Sequence, residues 1–159
     1  MDTGYSKWRK LDNAALAFPL VTGKNDTRVF RFYCQIKENV SGEILQTALD
    51  QTMEKYPLFQ AVLRKGLFWF YLEHRDIRAV VKQETEPPCS RLYIPDKKAL
   101  LFQVSYDKSR INFEVFHALT DGTGAMHFLQ ELVQNDLPLA HRRAELARIE
   151  SEGESTDGD

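Results

Sequence analysis

The stretch that decides the fold runs from Arg110 to Val133 and reads RINFEVFHALTDGTGAMHFLQELV. Its first part alternates apolar and other side chains as a β-strand does, with Ile111, Phe113 and Val115 on one face. Its last part has the apolar spacing of an amphipathic helix after Gly122, with Ala125, Phe128, Leu129, Leu132 and Val133 on one side. The stretch therefore predicts a strand, a turn that carries His117, and a helix.

Upstream of this stretch, the sequence alternates between strand-like and helical segments. Thr27 to Lys37 has a strand composition, and Ser41 opens a helix that Pro57 ends. The other predicted strands are Phe59–Arg64 and Leu67–Glu73 around a Lys65-Gly66 turn, Ile77–Lys82, and Ala99–Tyr106, which pairs with Arg110–Phe116 around Asp107, Lys108 and Ser109. This order predicts an α+β domain or a mixed-sheet α/β layer rather than a doubly wound fold.

The C-terminal part of the chain changes composition after Pro138, which we expect to end or kink the second helix. Ala140 to Ile149 predicts a short basic helix, and Glu150 to Asp159 contains five acids and no base, which is typical of a disordered tail. The sequence therefore predicts a half-domain over residues 1–140 and a short helix with an acidic tail over residues 141–159.

Composition excludes several classes of function. Hydrophobic residues make up 43% of the chain and the formal net charge is −2, so a packed core is expected and a nucleic-acid-binding face is not. No apolar run approaches the roughly 20 residues of a membrane span. Met1 to Lys10 is too polar for a signal peptide, and Cys34 and Cys89 lack metal-site spacing. These features predict a reduced, cytoplasmic protein.

His117 is the strongest candidate for chemistry. A free imidazole has a pKa of about 6.5, which suits a general base near neutral pH. Asp121 could orient the imidazole directly or could brace the loop that carries it, and the spacing alone does not decide between these roles. Turn chemistry by itself also explains an Asp-Gly pair, and Gly122 and Gly124 let the backbone turn tightly.

Other candidate residues lack partners. His74, His127 and His141 have none, and no set of His, Cys and carboxylate residues shows zinc spacing. The aromatic run from Phe68 to Tyr71 is better explained as core packing in a strand.

The His117-x-x-x-Asp121-Gly122 pattern resembles the HxxxDG motif of the CoA-dependent acyltransferase superfamily, which includes chloramphenicol acetyltransferase, alcohol acetyltransferases and condensation domains of peptide synthetases. The resemblance extends over about Trp8 to Leu137. It is carried as well by Leu11-Asp12-Asn13-Ala14-Ala15 with Phe18-Pro19, by the Ser41–Tyr56 helix with Pro57, and by Gly66-Leu67-Phe68-Trp69, which follow the order of alcohol acetyltransferase-like proteins.

The resemblance implies a fold, a reaction and roles for the motif residues. The fold is one half of a chloramphenicol acetyltransferase-like, two-layer structure, with a mixed sheet and helices packed on one face. His117 would be the general base that deprotonates the acceptor, which then attacks the acyl thioester directly. Asp121 would pair with an arginine and brace the loop, and Gly122 would give room for the acceptor or for the arm of CoA.

Two departures from the family pattern qualify these roles. The arginine partner of Asp121 is expected just after Pro57, where this chain has Gln60, so Arg64 is the nearest alternative. The family also has a second half-domain that contributes much of the CoA site, and this chain has no counterpart of it.

The predicted function is therefore the N-terminal part of an O-acyltransferase that moves an acyl group, acetyl by resemblance, from CoA to an alcohol, or to an amine in some relatives. No bound cofactor and no metal are expected; acyl-CoA is a cosubstrate. The partner would be the missing half-domain or a second subunit, including a homodimer. Two alternatives remain: a non-catalytic module for dimerisation or partner binding, and a condensation-type domain acting on carrier-protein thioesters. The second is disfavoured because Phe116 stands where those domains usually have another histidine.

Overall fold

The computed structural model describes residues 8–10 and 27–154, which form two sheets and two α-helices. In chain order the elements are β1 (Trp8–Lys10), β2 (Val29–Gln35), α1 (Gly42–Lys55), a 3-10 turn (Pro57–Phe59), β3 (Ala61–Lys65), β4 (Phe70–His74), β5 (Lys82–Gln83), β6 (Phe102–Asp107), β7 (Arg110–Phe116) and α2 (Gly122–Glu154). The predicted α/β class is confirmed.

The larger sheet positions the motif. Its four described strands lie in the order β2-β7-β6-β5, with β5 parallel to β6 and the other pairs antiparallel. The predicted β6–β7 hairpin is confirmed, and Lys108 in its turn has a left-handed backbone with φ 52°. Because β2 pairs with β7 so that Val29 lies opposite Phe116, the start of β2 lies beside the end of β7.

The strand β7 is buried on both faces. On one face Phe113 stacks on Phe128 of α2, with ring centroids 4.6 Å apart. On the other face Phe116 lies against Tyr93 of the loop between β5 and β6, at 5.6 Å. Since every residue from Ile111 to Phe116 is buried, the strand is a rigid support for the turn that carries His117.

The helix α1 begins and ends almost where the sequence predicts. Ser41 occupies the N-cap position without a side-chain capping hydrogen bond, and Tyr56 is the C-cap before Pro57. The helix buries Leu45, Ala48 and Leu49, which recur at helical spacing in the sequence. It packs beside α2, and Thr52 accepts a hydrogen bond from Asn135 at 3.0 Å.

The β3–β4 hairpin turns two residues later than predicted. Lys65 pairs with Phe70, and the Gly66 N–H donates to the Trp69 carbonyl at 2.7 Å, so the turn residues are Leu67 and Phe68. A shift of two residues keeps the same side chains inside, because strand side chains alternate with a period of two. The turn leaves Leu67 92% and Phe68 88% exposed, so the prediction that the run from Phe68 to Tyr71 packs in the core was wrong for Phe68, whereas Phe70 is buried as expected.

The helix α2 continues through Pro138, so the predicted helix end there and the separate helix from Ala140 were wrong, while the alternative of a kink at Pro138 stays a prediction. Proline lacks the N–H that would bond to the carbonyl four residues earlier. That carbonyl belongs to Gln134, an exposed residue, so water can satisfy it. Residues 150–154, predicted to be disordered, are also helical. The remainder of the predicted tail, and the predicted opening segment from Leu11 to Pro19, lie outside the described residues. The boundary at residue 140 stays a prediction.

The predicted strand Ile77–Lys82 is reduced to β5, at Lys82 and Gln83. Ala79 is nevertheless buried, and its carbonyl accepts a hydrogen bond from Gln46 of α1 at 2.9 Å. Within the part of the chain that the structure describes, no helix is long and apolar enough to cross a membrane.

Candidate functional site

His117 is the first residue after β7, and its position is fixed by two backbone hydrogen bonds around it. Its own N–H donates to the carbonyl of Arg28 at 2.9 Å, and the N–H of Leu119 donates to the carbonyl of Phe116 at the same distance. Ala118 and Leu119 are buried, which anchors the turn in the core. The imidazole itself is exposed, so the strand presents it at the surface.

The surroundings of the imidazole favour its neutral form. Its ring lies against that of Phe30 on β2, with centroids 4.3 Å apart and planes inclined by 43°. Burial lowers the pKa of His117, since the charged form loses hydration, and the positive charge of Arg28 lowers this pKa further. A neutral imidazole can accept a proton, as a general base must.

Asp121 caps the helix that follows His117. Its Oδ1 accepts a hydrogen bond from the N–H of Gly124 at 2.8 Å, and its carbonyl accepts the first helical bond, from Ala125, at 3.0 Å. This is the geometry of an N-cap aspartate, which satisfies a donor that the helix leaves unpaired. In this chain Asp121 therefore holds the start of α2.

The two glycines of the motif differ in their surroundings. A Cβ on Gly124 would lie 2.1 Å from Oγ1 of Thr120, whereas a Cβ on Gly122 would meet only Phe32, at 3.9 Å. None of the described glycines has a positive φ, so neither motif glycine is required by a left-handed backbone. Gly124 is instead required because the side chains of the turn occupy the space beside it.

Arg64 is not the partner of Asp121 in this structure, which corrects that prediction. It lies on β3 of the smaller sheet, where its Nη1 is 3.5 Å from Oε2 of Glu73 on β4. The register of the two strands accounts for the contact between Arg64 and Glu73. Arg64 pairs with Tyr71, and Glu73 lies two residues further along β4, where it is the diagonal neighbour of Arg64. Among the described residues Asp121 forms no ion pair.

A buried ionic network lies on the sheet between the motif and the β5–β6 loop. Arg31 donates to Glu114 through Nε at 2.8 Å and to Glu84 through Nη2 at 2.8 Å. Glu84 also accepts from Arg110 at 2.7 Å and from Asn112 at 3.1 Å. The network ties Glu84, at the start of the β5–β6 loop, to Arg31 of β2 and Arg110 of β7. It therefore supports the face of the sheet opposite α2.

The other predicted or excluded candidates lie elsewhere. His127 is exposed on α2, and His74 and His141 are exposed at the end of β4 and on α2. Both cysteines are free. No cluster of three or more His, Cys, Asp or Glu side chains suited to a metal ion occurs among the described residues.

Sequence reasoning missed Arg28 and Phe30, which contact the candidate base. The segment Thr27 to Lys37 was predicted as a strand, but no signal in it indicated which strand it pairs with. Had β2 been paired with the strand before the motif, its first residues would have been placed beside His117.

Comparison with known proteins establishes the fold. No family pattern and no characterised protein matches the sequence, but solved structures match the coordinates. The starter condensation domain of rhizomide synthetase RzmA is 13% identical, with a TM-score of 0.68 over 86% of this chain and 39% of that chain. Polyketide synthase associated protein 5 from Mycobacterium tuberculosis is 18% identical, with a TM-score of 0.57 over 78% of this chain and 31% of that chain.

An acetyltransferase is also similar. F. sporotrichioides TRI101, solved with coenzyme A and T-2, is 14% identical, with a TM-score of 0.51 over 82% of this chain and 41% of that chain. The chain thus spans 31% to 41% of the length of these structures. It has the fold of one half-domain of these condensation-domain and acetyltransferase structures, as the resemblance predicted.

Proposed function

We propose that this half-domain carries the general base of an acyltransferase, which moves an acyl group from a CoA thioester to an alcohol. The observation that carries the proposal is the setting of His117, an exposed imidazole at the end of a rigid strand with its pKa lowered. Enzymes need such a base in its neutral form at the pH at which they work.

The chemistry depends on the transfer of one proton. The free imidazole nitrogen of His117 accepts the proton of the acceptor hydroxyl while the oxygen attacks the thioester carbonyl. The tetrahedral intermediate collapses with cleavage of the C–S bond, and the imidazolium returns the proton to the leaving thiolate. Asp121, through its cap on α2, keeps the turn in place. We propose acetyl-CoA as the donor because of the alcohol acetyltransferase-like sequence features.

The rest of the site belongs to another half-domain under this proposal. The proteins of similar fold are longer, and this chain spans 39% of the RzmA domain. The second half would come from further sequence, from another chain or from a second copy. A cytoplasmic location fits the two free cysteines.

Thiol release from acetyl-CoA in the presence of simple alcohols and amines tests the proposal. We expect slow turnover by the chain alone and a decrease of about 100-fold or more in His117→Ala. His127→Ala is the matched control, since His127 is exposed on α2, and it should keep the wild-type rate. Turnover that survived His117→Ala would refute the assignment of the base.

The hairpin tip gives the second candidate function, a partner-binding module. Leu67 and Phe68 are 92% and 88% exposed, and adjacent exposed apolar side chains are typical of interaction sites. If the chain binds another protein or itself through this tip and shows no His117-dependent turnover with any thioester, this function is the better one.

A condensation-type activity on carrier-protein thioesters is the third candidate. Phe116, where such domains usually carry another histidine, is fully buried against Tyr93, so this position faces the interior rather than a substrate. Comparing acetyl-CoA with an acyl-loaded carrier protein as donor distinguishes this activity from the proposed one.

A further inference from the structure

Arg28 has an uncommon backbone conformation beside the candidate base. Its φ is 53°, in the left-handed region that favours glycine and is costly for residues with a side chain. Its carbonyl accepts the N–H of His117 at 2.9 Å. Strained backbone residues cluster at functional sites, where the surrounding structure holds them in place.

The other left-handed residues show why Arg28 is unusual. Among the described residues, Cys89, Asp96 and Lys108 are the other non-glycine residues with positive φ, and all three lie in turns. Arg28 instead leads directly into β2. A turn of the chain therefore accounts for the positive φ of Cys89, Asp96 and Lys108, but not for that of Arg28.

The neighbours of Arg28 tie it to the same end of the sheet. The Thr27 hydroxyl donates to the carbonyl of Cys89 at 2.7 Å, which joins the strand entry to the β5–β6 loop. Two residues after Arg28, the Phe30 ring packs on the His117 ring. The backbone on both sides of Arg28 is thus held, and the bend at Arg28 points its carbonyl at His117.

We infer that Arg28 is a positioning residue for His117: the left-handed backbone of Arg28 holds the histidine turn through its carbonyl, and its side chain brings a permanent positive charge to the same end of the sheet. The inference rests on the proposed function, because a neutral base is useful only if His117 accepts a proton. The retained arginine is the informative feature, since glycine would adopt this backbone at lower cost.

The charge has a direct consequence for the base. Of the charged groups in the described part of the chain, Arg28 is the one whose field lowers the pKa of His117, in addition to burial. A positive charge in this place opposes a second positive charge on the imidazole, so His117 stays ready to accept a proton from the acceptor.

The test compares Arg28→Gly with Lys108→Gly in the full chain. Each substitution removes one positive charge and relieves one left-handed backbone, but Lys108 lies in the β6–β7 turn, at the opposite end of β7 from His117. The measurements are the NMR titration of the His117 ring, assigned with His117→Ala, and the melting temperature. Arg28→Gln and Arg28→Lys both keep a side chain on the left-handed backbone. The first removes the positive charge and the second retains it, so together they separate the effect of the charge from the effect of the strain.

We expect the His117 titration midpoint to rise in Arg28→Gly and in Arg28→Gln, and to remain near the wild-type value in Arg28→Lys and Lys108→Gly. Relief of strain should raise the melting temperature by about 2–4 °C in both glycine variants. A midpoint that did not move in Arg28→Gln, or that moved equally in Lys108→Gly, would overturn the inference.

These readouts do not depend on turnover. If the titration behaves as expected but His117→Ala does not affect thiol release, the positioning role stands and the proposed reaction fails. If the titration does not change while His117 is essential for thiol release, the reaction stands and Arg28 has no part in it.

Discussion

At the scale of single residues, the turn from His117 to Gly124 combines the exposed candidate base with a tightly packed support. Asp121 caps α2, and Thr120 fills the space beside Gly124. The sequence predicted that His117 follows a strand and that a helix starts after it, because strand alternation, an Asp-Gly pair and helical spacing are local patterns. The role of His117 as a base stays a prediction. It could not predict the partner of Arg64 or the role of Gly124, because these depend on which side chains meet in space.

Gly124→Ala should destabilise the chain. The added methyl group would lie 2.1 Å from Oγ1 of Thr120 and 3.3 Å from Oδ1 of Asp121, so the Thr120 hydroxyl must move and the capping carboxylate must shift slightly. We expect a loss of about 1–3 kcal/mol in the free energy of unfolding, measured in urea. Gly122→Ala is the control, because its nearest neighbour is 3.9 Å away, and it should be neutral or stabilising. Equal losses in both variants would contradict the crowding at Gly124.

The lowered pKa of His117 also makes stability depend on pH. In the unfolded chain the imidazole is hydrated and takes up a proton at higher pH than in the folded chain, where burial and Arg28 oppose the charge. Between the two pKa values the unfolded state binds more protons, so the free energy of unfolding should fall as pH falls through this window. His117→Gln should reduce this slope in urea titrations at a series of pH values, whereas His127→Gln should retain it.

At the scale of elements, hairpins and helices differ in how far the sequence determines them. The β6–β7 turn was predicted correctly, since Asp107 to Ser109 separates two clear alternating runs. The β3–β4 turn was misplaced by two residues, because Gly66 suggested a turn while burial of Leu63 and Leu72 set the register. Pro138 predicted a helix end, but a proline on an exposed face can stay within a helix when water satisfies the freed carbonyl.

The Arg31–Glu84–Arg110 network should stabilise the link between the sheet and the β5–β6 loop. The side chains of Arg31 and Glu84 are only 12% and 14% exposed, and burial alone would raise the pKa of Glu84. The hydrogen bonds from Arg31 and Arg110 outweigh burial and lower this pKa. Removal of Glu84 breaks its hydrogen bonds to Arg31, Arg110 and Asn112 at once, although Arg31 keeps its contact with Glu114.

We expect Glu84→Ala to cost about 3 kcal/mol in the free energy of unfolding. The control is Asp50→Ala, because the Asp50–Arg78 pair is also 2.8 Å long but its side chains are 44% and 66% exposed, and it should cost less than about 1 kcal/mol. Chemical denaturation of both variants measures the difference. A Glu84→Ala chain as stable as the Asp50→Ala chain would show that the network is no more than a surface pair.

At the scale of the whole molecule, the chain has its own core and yet exposes apolar surface. Phe59, Phe102, Phe113 and Phe128 pack ring against ring between the sheet and α2, as in a self-contained domain. The hairpin tip at Leu67 and Phe68 has no such cover among the described residues. Under the proposed function, a second half-domain would cover part of this exposed surface, while the core between the sheet and α2 belongs to this half-domain.

Phe68 and Phe70 allow a test, within the β3–β4 hairpin, of whether the tip is open to solvent while the strand packs in the core. Phe70 is 8% exposed and faces the core, whereas Phe68 is 88% exposed at the tip. Phe70→Ser should cost about 3 kcal/mol or more in the free energy of unfolding, because it empties a packed site. Phe68→Ser should change it by less than about 0.5 kcal/mol and should make the chain more soluble, because it removes apolar surface from contact with water. If Phe68→Ser destabilises the chain as strongly as Phe70→Ser does, the tip is packed in solution and the half-domain does not leave this surface open for a partner.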